Sequence, residues 1–400
     1  MRILSVTAQK MDSTGSGVFL TELTRGFDKL GHFQAVVCGM APEDTLCPHP
    51  GVEVFPVCYK TEALPFPVCG MSDEMPYEST RYRDLTEEMT GRLFAAFRAK
   101  IREAVETFRP DVILCHHLYF LAAMVREMYP NLPIYGQCHG SDLRQIKKNP
   151  WQREWIAGNI RNLDGIFALH AQQKETILET FDIPQEKVFV LGTGYNSGVF
   201  YLDKTAKSQC SSHKQRLIFA GKLSEKKGLC SLLRALSHLK HPERYEVALA
   251  GGYGNLGEYR QICHLAECAP CRVTFLGRLN HGELALEMNK SDIFVLPSFY
   301  EGLPLVLIEA MACGLKTVCT DLPGIRPWLD RAIPENGTVF VAPPRMHNED
   351  EPYPEDLPAF ETRLARAIET AEHCPLPEPE SVSRVSWDSL CRAYCGLWQS

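Results

Sequence analysis

Apolar and polar positions along this chain follow two periods, and the switch between them recurs from one end to the other. Short runs rich in Val, Ile, Leu and Phe lie at 3–8, 34–38, 52–57, 111–115, 134–138, 165–169 and 188–191, with the length of buried strands. Between them come helical spacings. The first follows a glycine-bearing loop, 13–17, and carries Val18, Leu20, Leu23, Phe27 and Leu30; another spans 87–108 and stops before Pro110. A polar stretch, 203–215, shows no apolar period and reads as a linker. Beyond it a second series begins, with strand-like runs at 217–220, 247–250, 273–276, 293–296, 317–319 and 339–341. Strand–helix alternation predicts parallel sheets covered on both faces, and two series predict two doubly wound α/β domains, 1–202 and 216–382. A last helix, within 383–400, has Trp387, Leu390, Tyr394 and Leu397 for packing and is expected to return towards the first domain. In such folds ligands bind off the carboxyl ends of the strands, so the site is expected to face the cleft between the domains.

Composition narrows the function classes. The 400 residues are 45% hydrophobic and 23% charged, as in a soluble globular protein, and the net charge of −7 argues against a nucleic-acid binder. No apolar run approaches the length needed to span a bilayer, and the opening residues, too short and too quickly polar for a signal peptide, read as a first strand. Sixteen cysteines are scattered through strands and helices as buried thiols are, which fits a reducing, cytoplasmic setting. Cys263, His264, Cys268 and Cys271 form one cluster containing a C-x-x-C; it has either a metal or redox role or marks an ordinary helix-to-strand turn, and no second ligand pair follows. Segment 344–358, rich in proline and acids, reads as a solvated loop.

Candidate chemistry concentrates in "SFYEGLPLVLIEAMACG", 298–314. A helix is predicted over 304–313, with Pro304 in the first turn and Gly314 as terminator. Its side chains are apolar all round except Glu309, which predicts burial, and a buried carboxylate must be paired or hydrogen-bonded. Glu309 therefore meets either a structural partner or ligand hydroxyls, in particular a ribose diol. Glu301 stands one turn earlier, beside a helix mouth where the Gly302 and Leu303 amides would attract a phosphate. A second stretch, "IFAGKLSEKKGL" at 218–229, places Lys222, Lys226 and Lys227 between a strand and a helix, where they could neutralise a diphosphate. The combination suggests a nucleotide diphosphate-sugar.

Glu301-Gly-Leu-Pro-Leu-Val-Leu-Ile-Glu309 is an E-x7-E element, and "AGKLSEKKG" resembles a G-R-L-x-x-x-K-G element. Together they resemble the retaining nucleotide-sugar glycosyltransferases of family four, with the GT-B fold of two Rossmann-like domains facing a cleft. Shorter similarities lie at "GTGYNSGVF" (192–200), "LAGGYG", "VTFLGRL" and "CHGSD" (138–142). The resemblance implies that Glu301 binds hydroxyls of the transferred sugar, with the backbone of Gly302, Leu303, Pro304 and Leu305 facing sugar and diphosphate. It implies Glu309 on the ribose, Lys222 and Lys227 on the diphosphate, and the backbone of Arg278 and Leu279 on the base. Gly17 would let the backbone approach the diphosphate closely, and His139 would lie near the reacting sugar. Lys222 stands where the family has arginine, and a point charge makes no bidentate fork to phosphate.

The resulting expectation is a retaining glycosyltransferase, independent of metal and of other cofactors, with an unidentified acceptor: a sugar, a small molecule or a lipid-linked glycan. The alternatives are a nucleotide-sugar epimerase of similar build and a non-catalytic nucleotide-sugar-binding subunit. Segment 144–155, "RQIKKNPWQREW", either touches an anionic acceptor or the inner face of a membrane, or is a solvated helix start with tryptophans packed inward.

Overall fold

The computed structural model describes residues 1–11, 14–45, 49–73, 75–205, 214–348 and 350–399. The chain divides into two compact units, residues 1–193 with 387–400, and residues 194–386.

The first unit holds strands β1 (Arg2–Val6), β2 (Phe33–Met40) and β3 (Val52–Cys58), a short pair β4 (Cys69–Gly70) and β5 (Thr80–Arg81), then β6 (Val112–His116), β7 (Ile134–Gln137), β8 (Gly165–Ala168) and β9 (Val188–Val190). Seven of them form one sheet in the order β3-β2-β1-β6-β7-β8-β9, all pairs parallel. The central strands are buried on both faces, which is why Ile3, Leu4 and Val6 and the run Val112–Cys115 read as mostly apolar. The chain lays down β1 to β3 towards one side, then returns past β1 for β6, so the topological switch lies between β1 and β6.

The second unit holds β10 (Gln215–Ala220), β11 (Tyr245–Ala250), β12 (Arg272–Gly277), β13 (Ile293–Leu296), β14 (Lys316–Thr320) and β15 (Val339–Val341). Their order is β12-β11-β10-β13-β14-β15, again all parallel, and the switch lies between β10 and β13.

Three boundaries differ from the sequence expectation. Residues 194–202 belong to the second unit, because Tyr195 and Phe200 are buried in its core with Ile218 and Phe294. Asn289 fixes the same stretch, donating to the Tyr201 carbonyl at 3.0 Å and accepting from the Asp203 amide at 2.7 Å. Of the expected linker, 206–213 lies outside the described residues, and Gln215 already opens β10. The second unit runs on past 382 to 386, since Val382 and Val385 pack in its core.

The last helix, Trp387–Gln399, belongs to the first unit and packs on the helix Gly15–Lys29. Trp387 meets Phe19 edge-on at 4.9 Å, and Tyr394 meets Phe167 at 4.4 Å and donates to Gln137. Gly26 permits the close approach: a Cβ there would stand 2.4 Å from Cys391 Sγ. Trp151 and Trp155 also pack partly against the core of this unit, donating to Thr90 and Glu127, as expected of tryptophans packed inward. Among the described residues no helix is long and apolar enough to cross a membrane.

Gly26→Val should cost about 1–3 kcal/mol through overpacking, read as a lower denaturant midpoint. Adding Cys391→Ala should recover part of that loss; no recovery would show that the two helices do not meet at this point.

Candidate active site

At the switch point of the second sheet the loops after β10 and β13 are stitched together. The Phe299 amide donates to the Lys226 carbonyl at 3.0 Å, and Lys227 Nζ pairs with Glu301 Oε1 at 2.7 Å. Gly228 lies directly against the end of β13: its φ is 68°, and a Cβ would sit 1.9 Å from the Pro297 carbonyl oxygen. No L side chain fits there. The loop after β11 closes the row, because the Leu223 amide donates to Gly252 at 2.8 Å and Gly254 lies against the Lys222 ammonium. Arg278, exposed after β12, lies over Gly252, and partly buried Leu279 leads into the next helix, His281–Asn289.

The structure thus brings Lys222, Lys227, Glu301 and Arg278 to one edge of one sheet. It also separates the adjacent lysines. Lys226 pairs with Asp350 at 3.0 Å, and Asp350 is buried, so this part of segment 344–358 is packed rather than solvated. Lys227 points instead to Glu301.

The helix after Glu301 runs Leu305–Ala312 with Pro304 as N-cap and no side chain capping its first turn. Its mouth is therefore built from the amides that begin at Leu305, not at Gly302 and Leu303 as the sequence suggested. Nor is it buried all round: Leu305, Val306 and Ala312 remain partly exposed. Glu309 is buried at 8% exposure and has an interaction partner within the protein, as Lys222 does.

The first unit carries the other expected residues. Gly17 lies inside the first turn of helix Gly15–Lys29, not in the loop, and its amide donates to Thr14 Oγ1 at 3.1 Å. That amide is already used by the cap, and Ser13 of the expected loop lies outside the described residues. His139 follows β7 and joins two histidines that carry no motif in the sequence, His116 and His117 at the end of β6. His116 Nδ1 lies 3.1 Å from His139 Nε2, and the His117 ring centroid is 4.7 Å from that of His139. Asp142 ties the two loops, accepting from the Leu118 amide at 2.8 Å and the His139 amide at 3.3 Å. The available signal was position: two adjacent imidazoles directly after a central strand, at the edge where parallel sheets place their sites.

Burial pushes the His116 imidazole down to about 3, with the neighbouring His117 as the lesser cause. Burial also lowers His117, against an opposing pull from Asp142. His139 falls well below the usual range through burial first, then through His117 and His116. All three rings are neutral near pH 7. Among the described residues no group of three or more His, Cys, Asp or Glu could hold a metal ion, the stretch Cys263–Cys271 included, and every described cysteine is a free thiol.

Two parallel α/β units, with charged side chains gathered at a switch point of the second, define the class of doubly wound, Rossmann-like folds. Residues 13–198 match the model described as Glycosyltransferase Family 4, and residues 214–350 match the model described as Glycosyl transferases group 1. Between them the two matches span most of the chain. The chain belongs to the family-four glycosyltransferases of GT-B fold.

Two curated relatives are an uncharacterised glycosyltransferase of Methanocaldococcus jannaschii and a glycogen synthase of Mycobacterium tuberculosis. The first is 24% identical over 255 residues (52% of this chain, 65% of the relative), the second 23% over 268 residues (62% of each). The chain thus matches less than two thirds of the length of either. Solved structures share the fold throughout. Sucrose-phosphate synthase from Thermosynechococcus elongatus superposes with a TM-score of 0.70 at 17% identity, covering 100% of this chain and 98% of that one. Anabaena HepE, solved in complex with UDP and glucose, gives 0.65 at 14% identity, covering 100% and 99%.

An unfolded chain protonates its imidazoles near pH 6.5, whereas the folded first unit keeps them neutral. Stability from this source is complete above about pH 6.5 and is lost as the pH falls towards the His116 value, by up to about 1.4 kcal/mol per pH unit for each histidine. His116→Phe should therefore flatten the acid fall of the melting temperature relative to wild type between about pH 6.5 and 4. Parallel curves would contradict the burial assigned to this ring.

Proposed function

We propose that the protein transfers a sugar from a nucleotide diphosphate-sugar to a hydroxyl of an acceptor, with retention of anomeric configuration. The observation that carries this reading is the Lys227–Glu301 pair at the switch point of the second sheet, with the buried Glu309 in the second turn of the helix that follows and Lys222 in the same loop as Lys227. An ammonium and a carboxylate 2.7 Å apart match the two ends of a glycosyl phosphate. Lys227 turns to a phosphate oxygen, and Glu301, released from it, accepts hydrogen bonds from sugar hydroxyls. Glu309 takes the ribose diol, and the backbone at Arg278 and Leu279 meets the base.

In the reaction the bond between the anomeric carbon and the phosphate oxygen breaks, and a bond from the same carbon to the acceptor oxygen forms on the same face. The acceptor proton passes to the departing phosphate. Lys222, Lys227 and the amides at the mouth of helix Leu305–Ala312 stabilise the negative charge that develops there, so the proposal includes no metal. Relatives named as glycosyltransferase and glycogen synthase, and a fold neighbour solved with UDP and glucose, support it.

A thermal-shift screen over nucleotide sugars should single out one donor, because a ligand at 100 times its Kd adds about 2.7 kcal/mol. With that donor, Glu301→Gln should lower kcat by about 100-fold. Glu309→Gln should instead raise donor Kd about 10-fold or more, the loss of one charged hydrogen bond. Equal turnover by wild type and the Glu301 variant would defeat the assignment, and donor consumption without acceptor would point to an epimerase.

A further inference from the structure

The first unit holds two neighbouring imidazoles joined by one hydrogen bond, and their surroundings decide which nitrogen bears the proton. His116 is the last residue of β6 and is 2% exposed; its Nδ1 lies 3.1 Å from His139 Nε2, and the two ring planes are within 17° of parallel. The arrangement is held from several sides. His117 has a φ of 71°, a conformation that a residue with a Cβ adopts only under constraint, and its carbonyl accepts from the Tyr119 amide at 2.9 Å. Its own amide donates to the Gln137 carbonyl at 3.0 Å, continuing the ladder between β6 and β7. Asp142, fully buried, binds the Leu118 and His139 amides together. Phe19 presses edge-on against the His139 ring, with centroids 5.1 Å apart.

One nitrogen of His116 has no partner. Its Nε2 is buried and makes no hydrogen bond. A neutral imidazole carries one N–H and one lone pair, so two assignments exist. With the proton on His116 Nε2, a buried N–H would be left without an acceptor, the rarest of unsatisfied groups. With the proton on Nδ1, the His116 N–H donates to His139 Nε2, and only a lone pair goes unmatched. The second assignment costs less. It makes His139 Nε2 an acceptor and puts the His139 proton on Nδ1.

We propose that His116 is a positioning residue which, through this ring-to-ring hydrogen bond, holds His139 in the Nδ1–H form, so that His139 offers a donor to a ligand oxygen and cannot act as a base. The geometry of the two rings carries the tautomer by itself; its catalytic consequence rests on the glycosyl-transfer reading and on the family resemblance, which implies that His139 lies near the reacting sugar. It also agrees with a reaction in which the departing phosphate, not the protein, takes the acceptor proton.

The test is the tautomer itself. Two-bond ¹⁵N–¹H correlation spectra of the whole protein labelled with ¹⁵N-histidine, with the His139 signals identified by their loss in His139→Gln, should show Nδ1 protonated and Nε2 bare. His116→Phe keeps a ring but loses the donor, and His139 should revert to the Nε2–H form that free histidine prefers. His116→Asn, whose amide nitrogen can replace Nδ1, should preserve the Nδ1–H form. An Nε2–H His139 in wild type overturns the proposal, as does an unchanged tautomer in His116→Phe; if that variant fails to fold, the wild-type spectrum decides. No substrate is needed, so failure of the glycosyl-transfer reading would leave this result standing. Where transfer is measured, His116→Phe should lower kcat about 10-fold with little change in donor KM, and His116→Asn should restore most of it. Equal losses in both variants would overturn the positioning role.

Discussion

A parallel strand can rejoin its neighbour only through a crossover, so all the carboxyl ends of each large sheet collect on one edge. Everything chemical in this protein follows from that. In the second unit the loops after β10, β11, β12 and β13 deliver Lys227, Gly252, Arg278 and Glu301 to the same rim although they lie up to 74 residues apart in sequence. In the first unit the same rule brings His116 and His139 into contact from the ends of β6 and β7. The switch point is where two adjacent strands send their chains to opposite sides, which leaves a gap between outgoing loops. Gly228 shows how tightly that gap is built, since its backbone rests on Pro297 with no room for a methyl group.

Within that frame the charges are sorted by burial. Lys226 and Lys227 are neighbours, yet one is committed to a buried aspartate and the other to a carboxylate on the rim. A partly buried pair of this kind loses hydration on both sides, and its attraction offsets that loss only while the geometry holds. In the proposed reaction a phosphate and a set of sugar hydroxyls replace both partners at once. Histidines in the first unit obey a different rule. Packed together away from water, they stay neutral, and hydrogen bonds rather than charge decide how they act.

Periodicity revealed most strands because parallel sheets bury both strand faces, leaving short unbroken apolar runs such as 112–115 and 293–296. The E-x7-E spacing and the lysines after β10 placed the rim of the second unit for the same reason: motif and strand end coincide. What pattern could not show were features made by tertiary contact. Residues 194–202 look like the tail of the first series, and only the burial of Tyr195 and Phe200 assigns them to the second unit. Two-residue strands β4 and β5 are too short to have a period. Gly17 reads as a loop glycine until Thr14 is seen capping the helix around it. The pairing of His116 with His139 spans 23 residues and two strands, and no local signal encodes it.

The helix Trp387–Gln399 has a temporal consequence. It completes the first unit, yet the whole of residues 194–386 is translated before it. At ribosomal speeds of about 5–20 residues per second, the groove that will receive Trp387 and Tyr394 stays uncovered for roughly 10–40 s after its own strands have emerged. Phe19, Phe27 and Phe167, which that helix will cover, form an apolar face on the nascent chain during this interval. Newly made molecules must keep that face from sticking to one another until the last turn of helix arrives.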